Sequence, residues 1–367
     1  MAGVGGDPLP TLSWQSVASW RPAPQRVRSA TPEQVEAGLT ADVYFVGTLD
    51  VLEREGLAQQ VVTAEVFANR SGLLAGMDEA LALLADRGLE LWAAPEGAEL
   101  AARQVVLRIR GPYSRFAVLE TAVLGILAAS SGWATAARAV VAAAGGVPVI
   151  SYGARHVHPA VASVMDRAAL VGGFQGVSTI LGARQAGLVP AGTMPHALML
   201  IVGDTVAVAQ TFDALMPPGV PRTVLVDTFH DEVEEALRVA RALPSLASVR
   251  LDTPRERGGV TADLVRELRA HLDRAGFPRV GIFVSGGLSP ERVAELREAG
   301  AAGFGVGHYV AAAPPLDFTM DLKEVGGRPV AKRGRIPGIT ETPGLMRRDA
   351  GQAAHSRAPS PSPSREA

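Results

Sequence analysis

The second half of the chain alternates short apolar runs with amphipathic stretches. The apolar runs favour β structure, end in glycine or polar residues, and predict strands at 147–153, 168–173, 188–193, 222–227, 248–252, 279–287 and 303–309. Residues with helical spacing lie between them, at 159–167, 178–185, 231–243 and 261–275. Consecutive βαβ units imply right-handed crossovers and a parallel sheet, most economically an irregular βα-barrel. An open doubly wound sheet is the alternative.

The first half mixes helices and strands without strict alternation. Strands are predicted at 63–67, 89–94 and 104–109, helices at 77–85 and 119–144, and an ordered loop at 41–48. These elements predict an α/β sandwich domain, to which the segment after the barrel returns. The predicted organisation is therefore an N-terminal extension (1–38), the sandwich domain (39–146 with 316–338), the barrel domain (147–315) and a disordered Ser/Pro/Arg-rich tail (339–367).

Composition narrows the class of protein. Aromatic residues make up only 5% of the chain, which argues against stacking platforms for single-stranded nucleic acid. The formal charge of −2 favours neither a polyanion nor an anionic membrane as partner. The absence of cysteine excludes disulfides, thiol catalysis and cysteine-bound zinc. The apolar tract at 119–144 is interrupted by polar residues, so we expect a core helix and a cytoplasmic protein without a membrane span.

Two neighbouring strands of the predicted barrel end in glycine-rich turns. One turn is Ser285-Gly286-Gly287, and the other contains Gly305 and Gly307. Glycine lets backbone N–H groups approach a phosphate closely, and the C-terminal strands of βα-barrels often hold one. The turns therefore predict a phosphate site, although glycine also serves tight strand-to-helix turns.

Polar residues follow most of the other strands, where the active sites of βα-barrels lie. Arg155 offers a fork for a carboxylate or phosphate. Asp227 and Asp252 suit ribose hydroxyls or an Mg²⁺ shell. No certain metal site is expected, because no HxxxH or facial-triad spacing is present. Together these residues predict a site for a phosphorylated sugar and a small anion.

Several motifs resemble, in the same order, those of the nicotinate phosphoribosyltransferases. They are TADVYF, RIRGPYSRFAVLET, SGWATAA, SYGARHVHP, VGGFQGVST, AGTMPHALM, VLVDTFHDEVEEAL, VRLDTPRERGG and GGRPVAKRGR. The resemblance implies the type II phosphoribosyltransferase fold and active sites shared within a homodimer or larger assembly. It also implies that nicotinate and phosphoribosyl pyrophosphate give nicotinate mononucleotide and pyrophosphate, with Mg²⁺ as cofactor. ATP is implied as a co-substrate, hydrolysed through a phosphohistidine.

The resemblance also implies roles for individual residues. His196 ends the family's G-T-x-x-H motif at 192–196 and is the implied phosphohistidine, with Arg155 and Asp252 as further catalytic residues. Arg155 and Ser178 would hold the carboxylate, while Tyr44, from the partner subunit, and Phe174 would stack on the ring. The remaining implied substrate-binding residues are Thr193, Asp227, Ser285, Gly286, Gly287, Gly305 and Gly307. Many family members have two arginines where this chain has Arg155-His156.

Two other enzyme classes remain as alternatives. Quinolinate phosphoribosyltransferase shares the fold, but its dicarboxylate substrate calls for several arginines and lysines and for no phosphorylated histidine. A sugar-phosphate lyase or epimerase would need a lysine or paired carboxylates inside the barrel, and none of the predicted strand ends supplies a lysine.

Overall fold

The computed structural model describes residues 12–19 and 29–348. The chain divides into two compact units, one made of Met1–Gly132 with Pro314–Ala367 and the other of Trp133–Ala313. The sequence pattern placed the first boundary at 147, where the alternation begins, whereas the units divide inside the long helix before it. Parts of the predicted extension and tail, at 1–11, 20–28 and 349–367, lie outside the described residues.

The helices and strands are numbered in chain order. The helices are α1 (Trp14–Ser19), α2 (Pro32–Glu36), α3 (Val43–Arg54), α4 (Met77–Leu84), α5 (Glu120–Ala144), α6 (Ala162–Val171), α7 (Ile180–Gln185), α8 (His196–Val202), α9 (Thr205–Leu215), α10 (Glu232–Ala242), α11 (Ala262–Arg274), α12 (Pro290–Glu298) and α13 (His308–Ala311). The strands are β1 (Val61–Ala68), β2 (Gly72–Leu73), β3 (Glu90–Ala93), β4 (Glu99–Leu100), β5 (Val105–Pro112), β6 (Val149–Ser151), β7 (Gly176–Val177), β8 (Thr223–Leu225), β9 (Ser248–Leu251), β10 (Gly281–Ser285), β11 (Gly303–Val306), β12 (Phe318–Val325), β13 (Arg328–Pro329) and β14 (Met346–Arg348).

A six-stranded antiparallel sheet forms the centre of the first unit. Its order is β13-β12-β1-β5-β3-β14, so the strand after the barrel segment, β12, pairs directly with β1. Alternate residues of β1, including Ala64 and Val66, lie in the hydrophobic core. The opposite face carries Glu65, which is 1% exposed and forms an ion pair with Arg108 at 2.7 Å. This arrangement confirms the prediction of a sandwich domain that the segment after the barrel rejoins.

The segment from 339 to 348 is ordered, which corrects the prediction that the disordered tail begins at 339. The backbone N–H of Thr340 donates to Glu65 Oε1 at 3.2 Å, and its carbonyl accepts from Arg108 at 2.7 Å. Beyond it, β14 pairs antiparallel with β3. The composition of the tail suggested disorder, but its first ten residues satisfy a buried carboxylate and add a strand beside β3, and composition does not reveal either contact.

Residues 41–48 begin a helix, and the prediction of an ordered loop there is wrong. Helix α3 starts at Val43 after Asp42, which makes no side-chain cap. Valine, tyrosine, phenylalanine and threonine are weak helix formers, and only Phe45 and Val46 of the helix are buried. Helix propensity and hydrophobic periodicity therefore gave only weak signals for a helix here, and the packing of two side chains decides the conformation.

Helix α5 supplies side chains to the hydrophobic cores of both units. Val123 and Leu127 belong to the core of the first unit, and Ala137 and Val140 to the core of the second. The helical stretch Ala117–Ala144 is long and apolar enough to cross a membrane by length and composition, but half of its most apolar window is buried. The two core contacts account for its apolar character.

A six-stranded parallel sheet with the order β7-β6-β11-β10-β9-β8 forms the second unit. This confirms the irregular βα-barrel prediction. The strand predicted at 188–193 is an extended loop, and that predicted at 168–173 is the end of α6 and the turn after it. Ala168 and Ala169 continue the buried side of α6, and Gly173, with φ of 104°, lies in the turn that follows. The strand itself follows at β7, and among the described strands β7 and β8 are not paired with each other.

Candidate active site

The carboxyl ends of the parallel strands surround two adjoining cavities. The larger, called here the Ser178 cavity, has a volume of about 680 Å³. It is lined by Tyr152, Ala154, Arg155, Ser178, Thr179, Thr193, Met194, Pro195, His196, Ala197, Arg250 and Asp252. The smaller, the glycine cavity, has a volume of about 360 Å³. It is lined by Tyr152, Arg155, His156, Arg250, Asp252, Arg255, Ser285, Gly286, Gly287, Gly305, Gly307 and His308. Four residues line both, so the cavities form one continuous site.

Most residues predicted from the sequence meet in these cavities. The Ser178 cavity contains the predicted Arg155, Ser178, Thr193, His196 and Asp252. The glycine cavity contains Ser285, Gly286, Gly287, Gly305 and Gly307. Most of these residues follow strands, whose carboxyl ends the parallel sheet brings to one side of the barrel, whereas Thr193 and His196 come from the loop before α8 and from its start. Asp227 is joined to them by hydrogen bonds.

Phe174 and Tyr44 do not line either cavity. Phe174 is 4% exposed and belongs to the hydrophobic core of the barrel unit, which corrects its assignment as a ring-stacking residue. The reason lies in the turn after α6, where the backbone N–H of Phe174 donates to Ala169 O and the ring packs into the core. Tyr44 lies on α3 of the first unit, with 60% of the residue exposed and its ring centroid 4.3 Å from that of Phe45.

His196 and Asp227 form a pair at the floor of the Ser178 cavity. His196 Nε2 lies 3.2 Å from Asp227 Oδ1; the histidine side chain is 40% exposed and the aspartate side chain 1%. Burial raises the pKa of Asp227, and the adjacent His196 opposes that shift. The second oxygen of Asp227 accepts from the backbone N–H of Asp252 at 3.1 Å. The carboxylate therefore fixes the ring of His196 and leaves Nδ1 free of this contact.

Arg250 connects three of the predicted residues, and the sequence reasoning missed it. Its guanidinium donates to Thr193 Oγ1 at 2.6 Å, to Ser285 Oγ at 2.8 Å and to Asp252 Oδ2 at 2.9 Å. It also lies 5.3 Å from the centre of the Tyr152 ring. The signal was an arginine between Val249 and Leu251 of a buried strand, a position that points to the inside of a barrel. Only strand ends were considered, so an interior position was passed over.

Glycine is required in the glycine cavity for two different reasons. Gly286 and Gly287 have φ angles of 97° and 62°, which favour glycine and turn the chain toward α12. Gly305 instead lies within β11, where a Cβ would come within 2.4 Å of the Tyr152 ring. It is glycine because of this packing. Both turns line one cavity, but the need for glycine at 305 comes from its neighbour.

The two aspartates do not form a metal site by themselves. Both oxygens of Asp227 are hydrogen-bonded, as described above, and those of Asp252 accept from Ser285 at 3.0 Å and from Arg250. Within the described ranges, no group of three or more metal-binding side chains is present. Magnesium in proteins is usually shared between one or two carboxylates and substrate phosphates. An Mg²⁺ ion at this position would therefore need further ligands from a substrate.

A buried carboxylate supports the loop that carries Ser178. Asp166 of α6 is fully buried and accepts from Ser151 Oγ at 2.7 Å and from Thr179 Oγ1 at 2.5 Å. Thr179 in turn caps α7 by accepting from the N–H of Gly182. Asp166 therefore ties the end of β6 to the start of α7, on the wall of the Ser178 cavity.

Comparison with known proteins identifies the family. The family models of the quinolinate phosphoribosyl transferase N-terminal and C-terminal domains match residues 42–131 and 133–321. A crystal structure of nicotinate-nucleotide pyrophosphorylase from Pyrococcus furiosus is 43% identical, with a TM-score of 0.82 over 86% of this chain and 82% of that one. Nicotinate phosphoribosyltransferase pncB1 of Mycobacterium tuberculosis is 31% identical over 369 aligned positions, which cover 88% of this chain and 80% of that protein.

These similarities confirm the resemblance only at the level of the wider family. The family models and the Pyrococcus furiosus structure support the quinolinate branch, given above as the alternative, better than the nicotinate branch. Both branches act in the formation of pyridine nucleotides. The chain therefore belongs to the quinolinate phosphoribosyltransferase family of type II phosphoribosyltransferases and is a phosphoribosyltransferase of NAD biosynthesis.

Proposed function

We propose that the protein transfers the phosphoribosyl group of phosphoribosyl pyrophosphate to the ring nitrogen of nicotinate, which gives nicotinate mononucleotide and pyrophosphate. One observation carries the choice of a monocarboxylate. Of the two arginines in the Ser178 cavity, Arg250 is bonded to three side chains, whereas Arg155 makes no hydrogen bond or ion pair within residues 12–19 and 29–348. One free guanidinium matches one carboxylate in a bidentate contact.

The remaining residues position the reactants and stabilise charge. Ser178 assists Arg155 at the carboxylate, and the glycine cavity takes the 5′-phosphate. Thr193 and Asp252 face the ribose hydroxyls, and the buried Asp227 holds His196 and the backbone of Asp252 beside them. The pyridine nitrogen is already nucleophilic and attacks the anomeric carbon as the bond to pyrophosphate breaks, so no general base is required. Alignment of the two substrates and stabilisation of the developing charge account for the rate enhancement.

In this proposal Mg²⁺ arrives bound to a substrate, and ATP acts as a co-substrate. Mg²⁺ is bound by the pyrophosphate and is carried in with it, because each oxygen of the two aspartates already accepts a hydrogen bond and the pair alone does not complete a metal site. ATP phosphorylates His196. Its Nδ1 lone pair attacks the γ-phosphorus, ADP leaves, and water later releases phosphate from the histidine. The hydrogen bond of Nε2 to Asp227 stabilises the positive charge that the phosphorylated ring acquires.

We also propose that the active enzyme is a homodimer or a larger assembly with shared sites. The exposed Tyr44 ring on α3 is the residue that a partner subunit would supply for stacking on the pyridine ring. Within one chain, Phe174 is unavailable for this purpose because it is buried in the core.

Quinolinate is the second candidate substrate, and the family models together with the Pyrococcus furiosus structure favour it. Its two carboxylates would need a second cation beside Arg155. Residues 133–313 contain no lysine, so within one barrel unit that cation would be Arg255, His156 or His308 from the glycine cavity. These side chains would then be unavailable to the 5′-phosphate, and for this reason we place nicotinate first.

The test compares nicotinate, quinolinate and nicotinamide as acceptors, each with phosphoribosyl pyrophosphate and Mg²⁺, with and without ATP. It uses the natural protein, His196→Ala, Arg155→Gln and, as a matched control outside both cavities, Arg184→Gln. We expect nicotinate turnover that ATP enhances, and loss of the enhancement in His196→Ala. Loss of the arginine contact should raise the KM for nicotinate about tenfold to a hundredfold, since a hydrogen bond to a charged group contributes about 1.5–3 kcal/mol.

Other outcomes of this test would contradict parts of the proposal. Quinolinate turnover that ignores both ATP and His196 would assign the protein to the second candidate. Turnover of nicotinate with no effect of Arg155→Gln on KM would contradict the proposed carboxylate contact. Arg184→Gln should behave as the natural protein in every arm.

A further inference from the structure

Two histidines face each other at the edge of the glycine cavity. His156 ends the 3₁₀ turn Gly153–His156 after β6, and His308 begins α13 after β11. Because β6 and β11 are paired neighbours in the parallel sheet, the two residues leave the barrel side by side. Their ring centroids lie 5.3 Å apart with an interplanar angle of 73°.

We propose that His156 and His308 form a proton-linked clamp for the 5′-phosphate, so that binding of the phosphoribosyl group takes up a proton. The inference rests on the proposed function, which assigns the glycine cavity to that phosphate. Neither ring is engaged in a hydrogen bond with any residue in the described part of the chain, so both retain N–H groups for a ligand. Both residues are exposed and line the cavity beside the glycine turns.

The surrounding charges oppose protonation of His156 in the empty clamp. Arg155 and Arg255 line the same cavity as cations, while the charge of Arg250 is balanced by its ion pair with Asp252. Helix α6 packs behind the His156 turn and carries Asp166, which is bonded to Ser151 and Thr179, and the exposed Arg167. The pKa of His156 is lowered by partial burial, by His308 and by Arg155. Positive neighbours and burial thus oppose protonation until an anion arrives.

A phosphate dianion reverses this balance. An opposite charge within a few ångströms favours the charged form of a histidine, so the bound phosphate stabilises the protonated imidazoles. By linkage, a proton is then taken up on binding, and the affinity for the phosphate falls as the pH rises above the free histidine pKa values. Nicotinate in the Ser178 cavity carries no phosphate and should lack this dependence.

Calorimetry of the full chain with ribose 5-phosphate tests the clamp directly. Titrations at pH 7, 8 and 9, in pairs of buffers that differ in ionisation enthalpy, give the affinity and the number of protons taken up. The ligand remains a dianion over this range, since its second pKa is about 6. The proteins are the natural chain, His156→Asn, His308→Asn, the double variant and, as a control, His271→Gln on α11, which lines neither cavity.

For the natural chain and His271→Gln we expect proton uptake and a roughly threefold to tenfold loss of affinity between pH 7 and 9, the effect of about one pKa unit at one or both histidines. The double variant should bind more weakly at pH 7, with no proton uptake and a flat pH profile. Natural uptake and pH dependence in the double variant would overturn the clamp while leaving the phosphate site intact. No binding of ribose 5-phosphate at any pH would overturn the phosphate site, and the proposed function with it.

Discussion

The imidazole of His196 is anchored through Nε2 to Asp227 Oδ1 at 3.2 Å, and the aspartate is almost completely buried. One ring nitrogen is thus fixed against a carboxylate that the backbone N–H of Asp252 also holds. The other nitrogen, Nδ1, has no hydrogen-bond partner in the described part of the chain, and His196 lines the Ser178 cavity.

Replacement of Asp227 by Asn should uncouple ATP from phosphoribosyl transfer. The amide keeps the size of the side chain but removes the negative charge that stabilises a phosphorylated, positively charged ring. We expect the steady-state level of acid-labile phosphate on the protein, measured with γ-labelled ATP, to fall at least tenfold. His196→Ala gives the background. An unchanged phosphate level in Asp227→Asn would exclude a role for the carboxylate in this step.

Replacement of Arg250 by Met should destabilise the barrel unit. The change removes three hydrogen bonds and leaves the partly buried Asp252 without its cation. A loss of about 1.5–3 kcal/mol in the free energy of unfolding is expected, the range for one hydrogen bond to a charged group. Urea titration measures it. Arg266→Met is the matched control, because its ion pair with Asp263 is exposed and should contribute less than about 0.5 kcal/mol.

An added methyl group at Gly305 should disturb the interior of the barrel. In Gly305→Ala the new Cβ would come within 2.4 Å of the Tyr152 ring, so the ring must move. Overpacking of this kind costs about 1–3 kcal/mol, measurable as a lower urea midpoint. Gly219→Ala is the control, since no atom lies within 4 Å of its added Cβ. The double variant Gly305→Ala/Tyr152→Leu removes the ring that the new Cβ would contact. If it were no more stable than Gly305→Ala alone, contact with the ring would not be the cause of the lost stability.

Glu120 should make the stability of the first unit depend on pH. Burial, with Asp321 and Asp42, raises the pKa of Glu120 from 4.5 to about 7. The folded protein therefore binds a proton that the unfolded chain releases between these values, and stability from this group decreases as the pH rises from 4.5 to 7. The partial burial limits the effect to about 1–3 kcal/mol.

Urea titrations of the natural protein and Glu120→Gln at pH 5, 6, 7 and 8 measure this dependence. The variant should show a flatter profile and exceed the natural protein in stability at pH 8. Glu55→Gln, an exposed change at the end of α3, should follow the natural profile. Parallel profiles for Glu120→Gln and the natural protein would contradict the raised pKa.

The sequence was sufficient to predict residues at the ends of parallel strands. Arg155, Ser178 and Asp252 could be placed together because they follow β6, β7 and β9, and the topology alone brings such ends to one side of a barrel. Arg250 could not, because an arginine inside an apolar strand acquires a meaning only when the residues opposite it are known. The prediction for Phe174 was wrong for a related reason. The family resemblance implied a stacking role for Phe174, but the turn after α6 directs the ring into the core.

The network around Arg250 also bears on how this sequence can change. Thr193, Asp252 and Ser285 lie in different segments of the barrel but share one guanidinium. Residues that share a partner are energetically coupled, so the costs of replacing them do not add. Once Arg250 is lost, replacement of its three partners should destabilise the protein less. While Arg250 is present, each partner is constrained by its hydrogen bond to the guanidinium. We therefore expect strong epistasis among these four positions, and related chains should accept changes there in groups and in a restricted order.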